Sequence, residues 1–260
     1  MFKHISLASS SAGNSHLVSQ DGGSTYIMLD CGLSKKDLFR KLLEVKININ
    51  QIKALFVTHE HQDHIRGLSY LIDYMPCYGS KGTMELYQDD INCKIMKVNK
   101  VYVINGFKIM GIESKHDAKE PFNFIIQNEI EEYMLYLTDT GMVNFNLKGI
   151  RFRYILIEAN YDEEELNKRL EEDTTGYLKT HLRRNLMLDN GHLSLKKTHK
   201  ILEQLSLGMC KGITLCHLSP RFSKSDFAIR TEKVFKIPTK QLKAKELETT
   251  EIKEKIEYGF

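Results

Sequence analysis

The segment Val57–Leu68, VTHEHQDHIRGL, places His59, His61, Asp63 and His64 within one short stretch, directly after the apolar run IKALFV. No other feature constrains the chain so strongly. His59 and His61 are two apart, so in an extended backbone their side chains point the same way. Asp63 and His64 follow where the chain turns into a helix beginning near Ile65. One strand-to-helix turn can therefore offer two imidazoles to one cation, and a carboxylate with an imidazole to a second. The spacing is not H-E-x-x-H, which needs histidines four apart on one helical face. It is not the zinc-deaminase pattern either: Pro76-Cys77 is followed by Ser80 where that pattern has its second cysteine.

Such a turn needs a sheet to carry it. FKHISLA, STYIMLD, IKALFVT, CKIMKV, KVYVI, FKIMGIES, FNFIIQN, YMLYLTD, RYILIEA and GITLCHL read as strands, being short, apolar and often bounded by Gly, Asn or Asp. SKKDLFRKLLEV, IRGLSYLIDYM, GTMELYQD, DEEELNKRLEE and SLKKTHKILEQL read as helices. In the last of these Ser194 is placed to cap the N-terminus, with Leu195, Ile201, Leu202 and Leu205 facing inward. Strands and helices mix in both halves, which predicts an α/β (α+β) sandwich of sheets covered by helices. Without repeats or a Pro/Gly-rich linker, the 260 residues read as one domain over 1–230, followed by a Lys/Glu-rich segment, 231–260, packed on it.

A dinuclear site needs further ligands, and candidates stand at strand ends: His116 in IESKHDAKEP, Asp139 in LYLTDTG and His217 in TLCHLSP. Taken singly, Asp139 could cap a turn and either histidine could be a hydrogen-bonded loop residue. SSSAGNS is poor in glycine for a phosphate cradle and is expected to be a loop packed under the metal site. Ser194-x-x-Lys197 matches a β-lactamase nucleophile motif only formally, because no partner motif accompanies it. His4, His16, His181 and His199 receive no role.

Composition removes several classes. The five cysteines are odd in number and form no C-x-x-C pair, so a disulfide framework or zinc ribbon is not expected and a reducing cytoplasm is. The N-terminal segment lacks the apolar core of a signal peptide, and no stretch approaches a membrane span. Net charge is only +3, too little to imply a polyanionic partner. Its distribution says more, because Lys179, Arg183, Arg184, Lys196, Lys197 and Lys200 fall in one stretch, 177–200, that contains a single acid. The strip is either a solvated helix face or a path for nucleic-acid phosphates.

Together, H-x-H-x-D-H and the separated His, Asp and His resemble the metallo-β-lactamase superfamily, over about residues 1–230. Within it the segments SLASSSAGNS, LDCGLS, THEHQDHIRGL, KHDAKEPFNF, LTDTG, IEANYDEEEL and GHLS are similar to the YycJ/WalJ-like group of nucleases. CHLSPRFS instead resembles the ending of tRNase Z relatives, and no long insertion of the RNase J kind separates Asp139 from His192. The resemblance implies an αββα four-layer sandwich. It also implies a dinuclear metal-dependent phosphodiesterase that uses a metal-bridging hydroxide on nucleic acid, DNA being expected and exonuclease-like cleavage with it. An RNA-processing nuclease of tRNase Z type, or a hydrolase of a small cyclic nucleotide or thioester, is the alternative. By the same resemblance His59, His61 and His116 hold one ion, Asp63, His64 and His217 hold the second, and Asp139 bridges. Zn2+ or Mn2+ suits these donors. Asp30 supports the metal loop without binding metal. His192 lies just before the helix capped by Ser194, where backbone N–H groups favour a phosphate, and is expected beside the scissile phosphate as a proton donor or oxyanion partner.

Overall fold

A computed structural model describes residues 2–143, 147–176 and 191–243, together with the backbone of 248–251. Among them are two seven-stranded sheets. The first contains β1 (Lys3–Ser10), β2 (Gly13–Ser19), β3 (Tyr26–Leu29), β4 (Ile52–Phe56), β5 (Cys77–Gly79), β6 (Cys93–Ile95) and β14 (Glu248–Glu251), in the order β14-β1-β2-β3-β4-β5-β6. The second contains β7 (Val101–Ile104), β8 (Phe107–Glu113), β9 (Phe122–Gln127), β10 (Tyr133–Leu137), β11 (Phe152–Glu158), β12 (Gly212–Cys216) and β13 (Thr239–Gln241), in the order β13-β12-β11-β10-β9-β8-β7. Pairing is parallel from β3 to β6 and from β10 to β13, and antiparallel elsewhere.

Alternation along the strands shows why the sheets stack. On β3, Ile27 and Leu29 join the core between the sheets, whereas Tyr26 and Met28 join the core on the outer face of the first sheet. On β10, Met134 and Tyr136 face inward, while Leu135 and Leu137 pack on the outer face of the second sheet. Strands apolar on both faces read as continuous apolar runs and need cover on both sides. Leu38 and Leu42 of α1 (Lys35–Glu44), with Ile65 of α2 (Gln62–Ile65) and Leu68 and Leu71 of α3 (Leu68–Leu71), cover the first sheet. Leu195, Ile201 and Leu202 of α5 (Leu195–Glu203) and Phe227 of α6 (Phe227–Phe235) cover the second. The layers are helix, sheet, sheet, helix, the αββα sandwich expected. The caps follow local chemistry: Ser34 accepts from Asp37 N before α1, Asp162 from Glu164 N and Glu165 N before α4 (Glu163–Glu172), and Ser194 from Lys197 N before α5.

Several elements differ from expectation. SSSAGNS packs against the site as expected, Ser9 Oγ accepting from His217 N and Asn14 Nδ2 lying 3.0 Å from His64 Nε2, but it is the end of β1, a two-residue turn and the start of β2 rather than a loop. Its β2 strand was hidden because Ser15 and His16 are polar yet fully buried, which breaks the apolar pattern. The helix expected over IRGLSYLIDYM divides at Gly67, whose N–H donates to Cys31 O at 2.7 Å. GTMELYQD forms only the short turn Glu85–Tyr87. Past residue 226 the chain forms α6 and then supplies an edge strand to each sheet, β13 beside β12 and β14 beside β1. Among the described residues, no helix is long and apolar enough to cross a membrane.

Candidate metal centre

The chain directions bring one end of each sheet to a common edge. β1, β3 and β4 finish there at Ser10, Leu29 and Phe56, and β8, β10, β11 and β12 finish there at Glu113, Leu137, Glu158 and Cys216. The residues that follow leave the strands abruptly: Asp30, Asp139 and His217 have φ of 58°, 42° and 51°. Left-handed backbone is unfavourable for such residues and persists only where the surroundings hold it. Asp30 N donates to Phe56 O and His217 N to Ser9 Oγ, both at 2.8 Å, and Asp139 O accepts from Ser114 Oγ at 2.9 Å, so hydrogen bonds hold all three. Gly32 follows with no room for a side chain, since a Cβ there would lie 1.7 Å from Asp63 O. The DCG segment is thereby pressed against the turn carrying Asp63 and His64, and Cys31 N donates to His64 O at 2.8 Å.

Each of four histidines is oriented by a partner on Nδ1. His64 Nδ1–H donates to Asp30 Oδ2 at 2.9 Å, His217 Nδ1–H to Glu158 Oε1 at 3.0 Å and His116 Nδ1–H to Gly191 O at 3.2 Å. Thr58 donates its hydroxyl to Asp30 Oδ1, so it accepts from His59 Nδ1 at 3.0 Å. With Nδ1 protonated, Nε2 presents its lone pair to the interior, the arrangement that carboxylate and carbonyl partners impose on metal-ligating histidines.

The inward donors form overlapping groups whose ligand atoms lie within 4.8 Å of one another: His59, His61 and His116; Asp63, His64 and His217; and His59, His64 and Asp139. His116 Nε2 and His61 Nδ1 face each other at 3.2 Å. Asp63 Oδ2 is 3.5 Å from both His64 Nε2 and His217 Nε2. Asp139 stands between the two groups, with Oδ2 2.5 Å from His64 Nε2 and 3.9 Å from His59 Nε2, and Oδ1 3.2 Å from His217 Nδ1. Within these groups His59 Nε2 and both Asp139 oxygens are buried without a hydrogen-bond partner. Lone pairs converging on one space, with their hydrogen bonds unmade, fit a cation rather than a packed core. All seven metal-ligand candidates from the sequence, His59, His61, Asp63, His64, His116, Asp139 and His217, are brought together.

The carboxylates set the protonation of the metal-free centre. Burial disfavours the imidazolium of His64 and His217, but Asp139 and its fellow carboxylates outweigh it. His64 is raised well above the ordinary value and His217 to about 9. Burial also disfavours ionised Asp139, yet His217 and His64 hold its pKa well below the usual range. His59 and His116 are lowered, chiefly by burial. The centre as a whole attracts positive charge.

Sequence reasoning missed Glu158. It is fully buried, and its Oε1 accepts from His192 Nδ1 at 2.7 Å and from His217 Nδ1 at 3.0 Å. Its Oε2 accepts from Leu193 N at 3.1 Å. One carboxylate therefore orients two histidines. The signal was available, because three strands run into an acid at this edge, in IMLD, YLTD and ILIE. Asn14 was missed too; its amide nitrogen lies 3.0 Å from His64 Nε2 and 3.5 Å from Asp63 Oδ2.

His192 does lie at the centre, stacked on His217 with ring centroids 5.2 Å apart. At the helix N-terminus beside it, protein groups take most of the N–H groups expected to face a phosphate: Leu193 N donates to Glu158, Leu195 N to Tyr161 O and Lys197 N to Ser194 Oγ. Of the basic strip, Lys179, Arg183 and Arg184 lie outside the described residues. Lys196 sits 3.8 Å from Glu163, and with Lys200 it lines a groove that also contains Glu164 and Glu203. Lys197 donates to Gly141 O at 3.0 Å, tying α5 to the loop after Asp139.

Three comparisons bear on this geometry. The family model described as "Beta-lactamase superfamily domain" matches residues 25–211, a span holding every candidate above except Asn14 and His217. Exodeoxyribonuclease YycJ of Bacillus anthracis is 29% identical over 223 residues, 82% of this chain and 81% of that protein. Exodeoxyribonuclease WalJ of Streptococcus pneumoniae serotype 2 is 28% identical over 242 residues, 88% of this chain and 86% of that protein. Among solved structures, the metallo-beta-lactamase fold protein YhfI from Bacillus subtilis aligns with a TM-score of 0.70 at 14% identity. It covers 96% of this chain and 99% of its own, a likeness of fold.

Proposed function

The chain belongs to the beta-lactamase superfamily, and from that premise we propose that it is a dinuclear metal-dependent phosphodiesterase that degrades DNA from its ends. One observation carries the reading: two three-residue donor sets flank a single buried carboxylate, Asp139, with the His192–Glu158 pair beside it. In this reading His59, His61 and His116 hold one ion, Asp63, His64 and His217 the other, and Asp139 serves both. Zn2+ and Mn2+ suit imidazole and carboxylate donors. Two such ions supply Lewis acidity toward a phosphoryl oxygen and acidify water enough to make it a nucleophile at neutral pH.

The protein's own groups divide the remaining work. Asp30, Thr58, Glu158 and Gly191 O fix the ligand rotamers, so the donors need little reorganisation on binding. His192 keeps Nδ1 on Glu158, which leaves Nε2 as the nitrogen that can face substrate. Burial disfavours its imidazolium, but Glu158 outweighs this and raises its pKa well above the ordinary value. A protonated Nε2–H can donate to the leaving oxygen. The chain's similarity to two exodeoxyribonucleases supports DNA as the substrate and its ends as the point of attack.

Labelled single- and double-stranded DNA, RNA and cyclic nucleotides offered to Zn2+- or Mn2+-loaded protein test this directly. Release of mononucleotides from DNA ends is expected. Preferential cleavage of RNA, or hydrolysis of the cyclic nucleotide alone, overturns the substrate assignment.

Metal loading should also release protons. His64 and His217 carry raised pKa values in the metal-free centre, so both hold protons at pH 7 that an incoming ion must displace. Metal affinity therefore rises with pH through neutrality, His217 giving up its proton near its raised value of about 9 and His64 well above the ordinary histidine range. Calorimetric Zn2+ titrations in buffers of different ionisation enthalpy should show about two protons released per chain at pH 7. A buffer-independent heat contradicts the assignment of these two histidines.

A further inference from the structure

Asp30, the carboxylate that orients His64 from the first sheet, is held in part from the second. Tyr136 lies on β10, fully buried in the core between the sheets with Val18, Leu29, Phe56 and Phe124. Its ring meets His16 edge-on at a centroid distance of 5.5 Å, and its hydroxyl donates to Asp30 Oδ2 at 2.8 Å. The same oxygen accepts from His64 Nδ1 at 2.9 Å, while Asp30 Oδ1 accepts from Thr58 N at 2.8 Å and Thr58 Oγ1 at 2.9 Å. Four donors thus fix one carboxylate. Those from Thr58 and His64 belong to the metal loop and move with it. Only the Tyr136 donor is anchored independently, in the other sheet.

A phenylalanine would fill the same apolar space and leave Asp30 Oδ2 with His64 Nδ1 as its remaining donor, so packing alone does not call for the hydroxyl. Burial and the neighbouring Asp30 carboxylate keep the phenol protonated, so toward that carboxylate it donates. We propose that Tyr136 is a positioning residue for His64. By fixing Asp30 Oδ2 it sets the rotation of the imidazole, so the second sheet governs a ligand carried by the first. The proposal rests on the dinuclear reading above. Because Oδ1 stays on Thr58, whose hydroxyl orients His59, losing the Tyr136 donor should act on the His64 side of the centre.

Competition with a chromophoric chelator would measure Zn2+ affinity for wild type, Tyr136→Phe, Asp30→Asn and the double variant. The tyrosine variant should remain folded in metal-free form with a modestly lowered melting temperature, since a buried carboxylate loses one donor, and lose affinity for one ion by about 10-fold, at the low end for residues behind a ligand, with the other ion little changed. In a His116→Ala background, where the first donor set is broken, the remaining ion should show the same loss. Once Asp30 is asparagine, removing the hydroxyl should cost little more, a non-additivity that a general packing role would not produce. Unchanged affinity, equal loss of both ions, or full additivity with Asp30→Asn overturns the proposal. If Asp30→Asn does not fold, Tyr136→Phe alone decides by its selectivity between the ions. If wild type binds one ion only, the dinuclear reading fails. The positioning role is then judged separately, by whether that ion weakens in Tyr136→Phe.

Discussion

Asp139→Asn is expected to abolish turnover and weaken at least one ion while leaving the sandwich folded. The side chain is buried, and four histidines approach it: His59 and His64 toward Oδ2, His192 and His217 toward Oδ1. Asparagine has nearly the same shape, so the strand exit at residue 139 can survive. What it lacks is charge, and it turns one acceptor into an N–H donor aimed at the place where cations converge. Both donor sets lose their shared carboxylate together. The rate should fall by at least the ~10²–10³-fold typical of removing one preorganised group that stabilises transition-state charge. Steady-state rates, read beside circular dichroism and metal content, check this. Wild-type turnover with a full complement of metal would remove Asp139 from the centre of the account.

His192→Ala should separate chemistry from metal binding. Its Nδ1 is committed to Glu158 Oε1 at 2.7 Å, and among the described residues Nε2 makes no hydrogen bond. A residue that donates a proton to the leaving oxygen without holding an ion can be removed at a cost of roughly 10²–10⁴-fold in kcat with both ions retained. The competing possibility is real, because Asp139, Glu158, His192 and His217 also lie within 4.8 Å of one another through potential ligand atoms. Loss of an ion in the alanine variant would place His192 among the ligands. An unchanged rate would leave it merely packed against His217.

What the sequence revealed follows from what each residue does locally. The cluster His59-x-His61-x-Asp63-His64 stood out because ligands crowd one turn, and His116, Asp139 and His217 because polar residues end apolar runs. The sandwich followed from short apolar strands mixed with helices in both halves, and its four-layer order from the family resemblance. Glu158 went unread because it sits inside the last turn of an apolar strand, where an acid looks like an exposed edge, although it is fully buried. Asn14 and His16 went unread because β2 buries polar residues beside its apolar ones, and these bond to His4 and Ser10 on β1 and to the turn carrying Asp63 and His64. Tyr136 resembles any core tyrosine until its hydroxyl is traced to Asp30, a residue of the other sheet distant in sequence. Such long-range polar pairings leave no local periodicity. The helix N-terminus beside His192 misled for a related reason, its first N–H groups being taken by Glu158 and Tyr161 from other segments.

Metal stoichiometry tests the central claim most directly. Protein stripped by chelation, reloaded with excess Zn2+ or Mn2+ and freed of unbound metal should contain two ions per chain by elemental analysis, falling toward one when His116 or His217 is replaced by alanine. A fully loaded, folded wild-type protein with no more than one ion per chain would contradict the dinuclear centre.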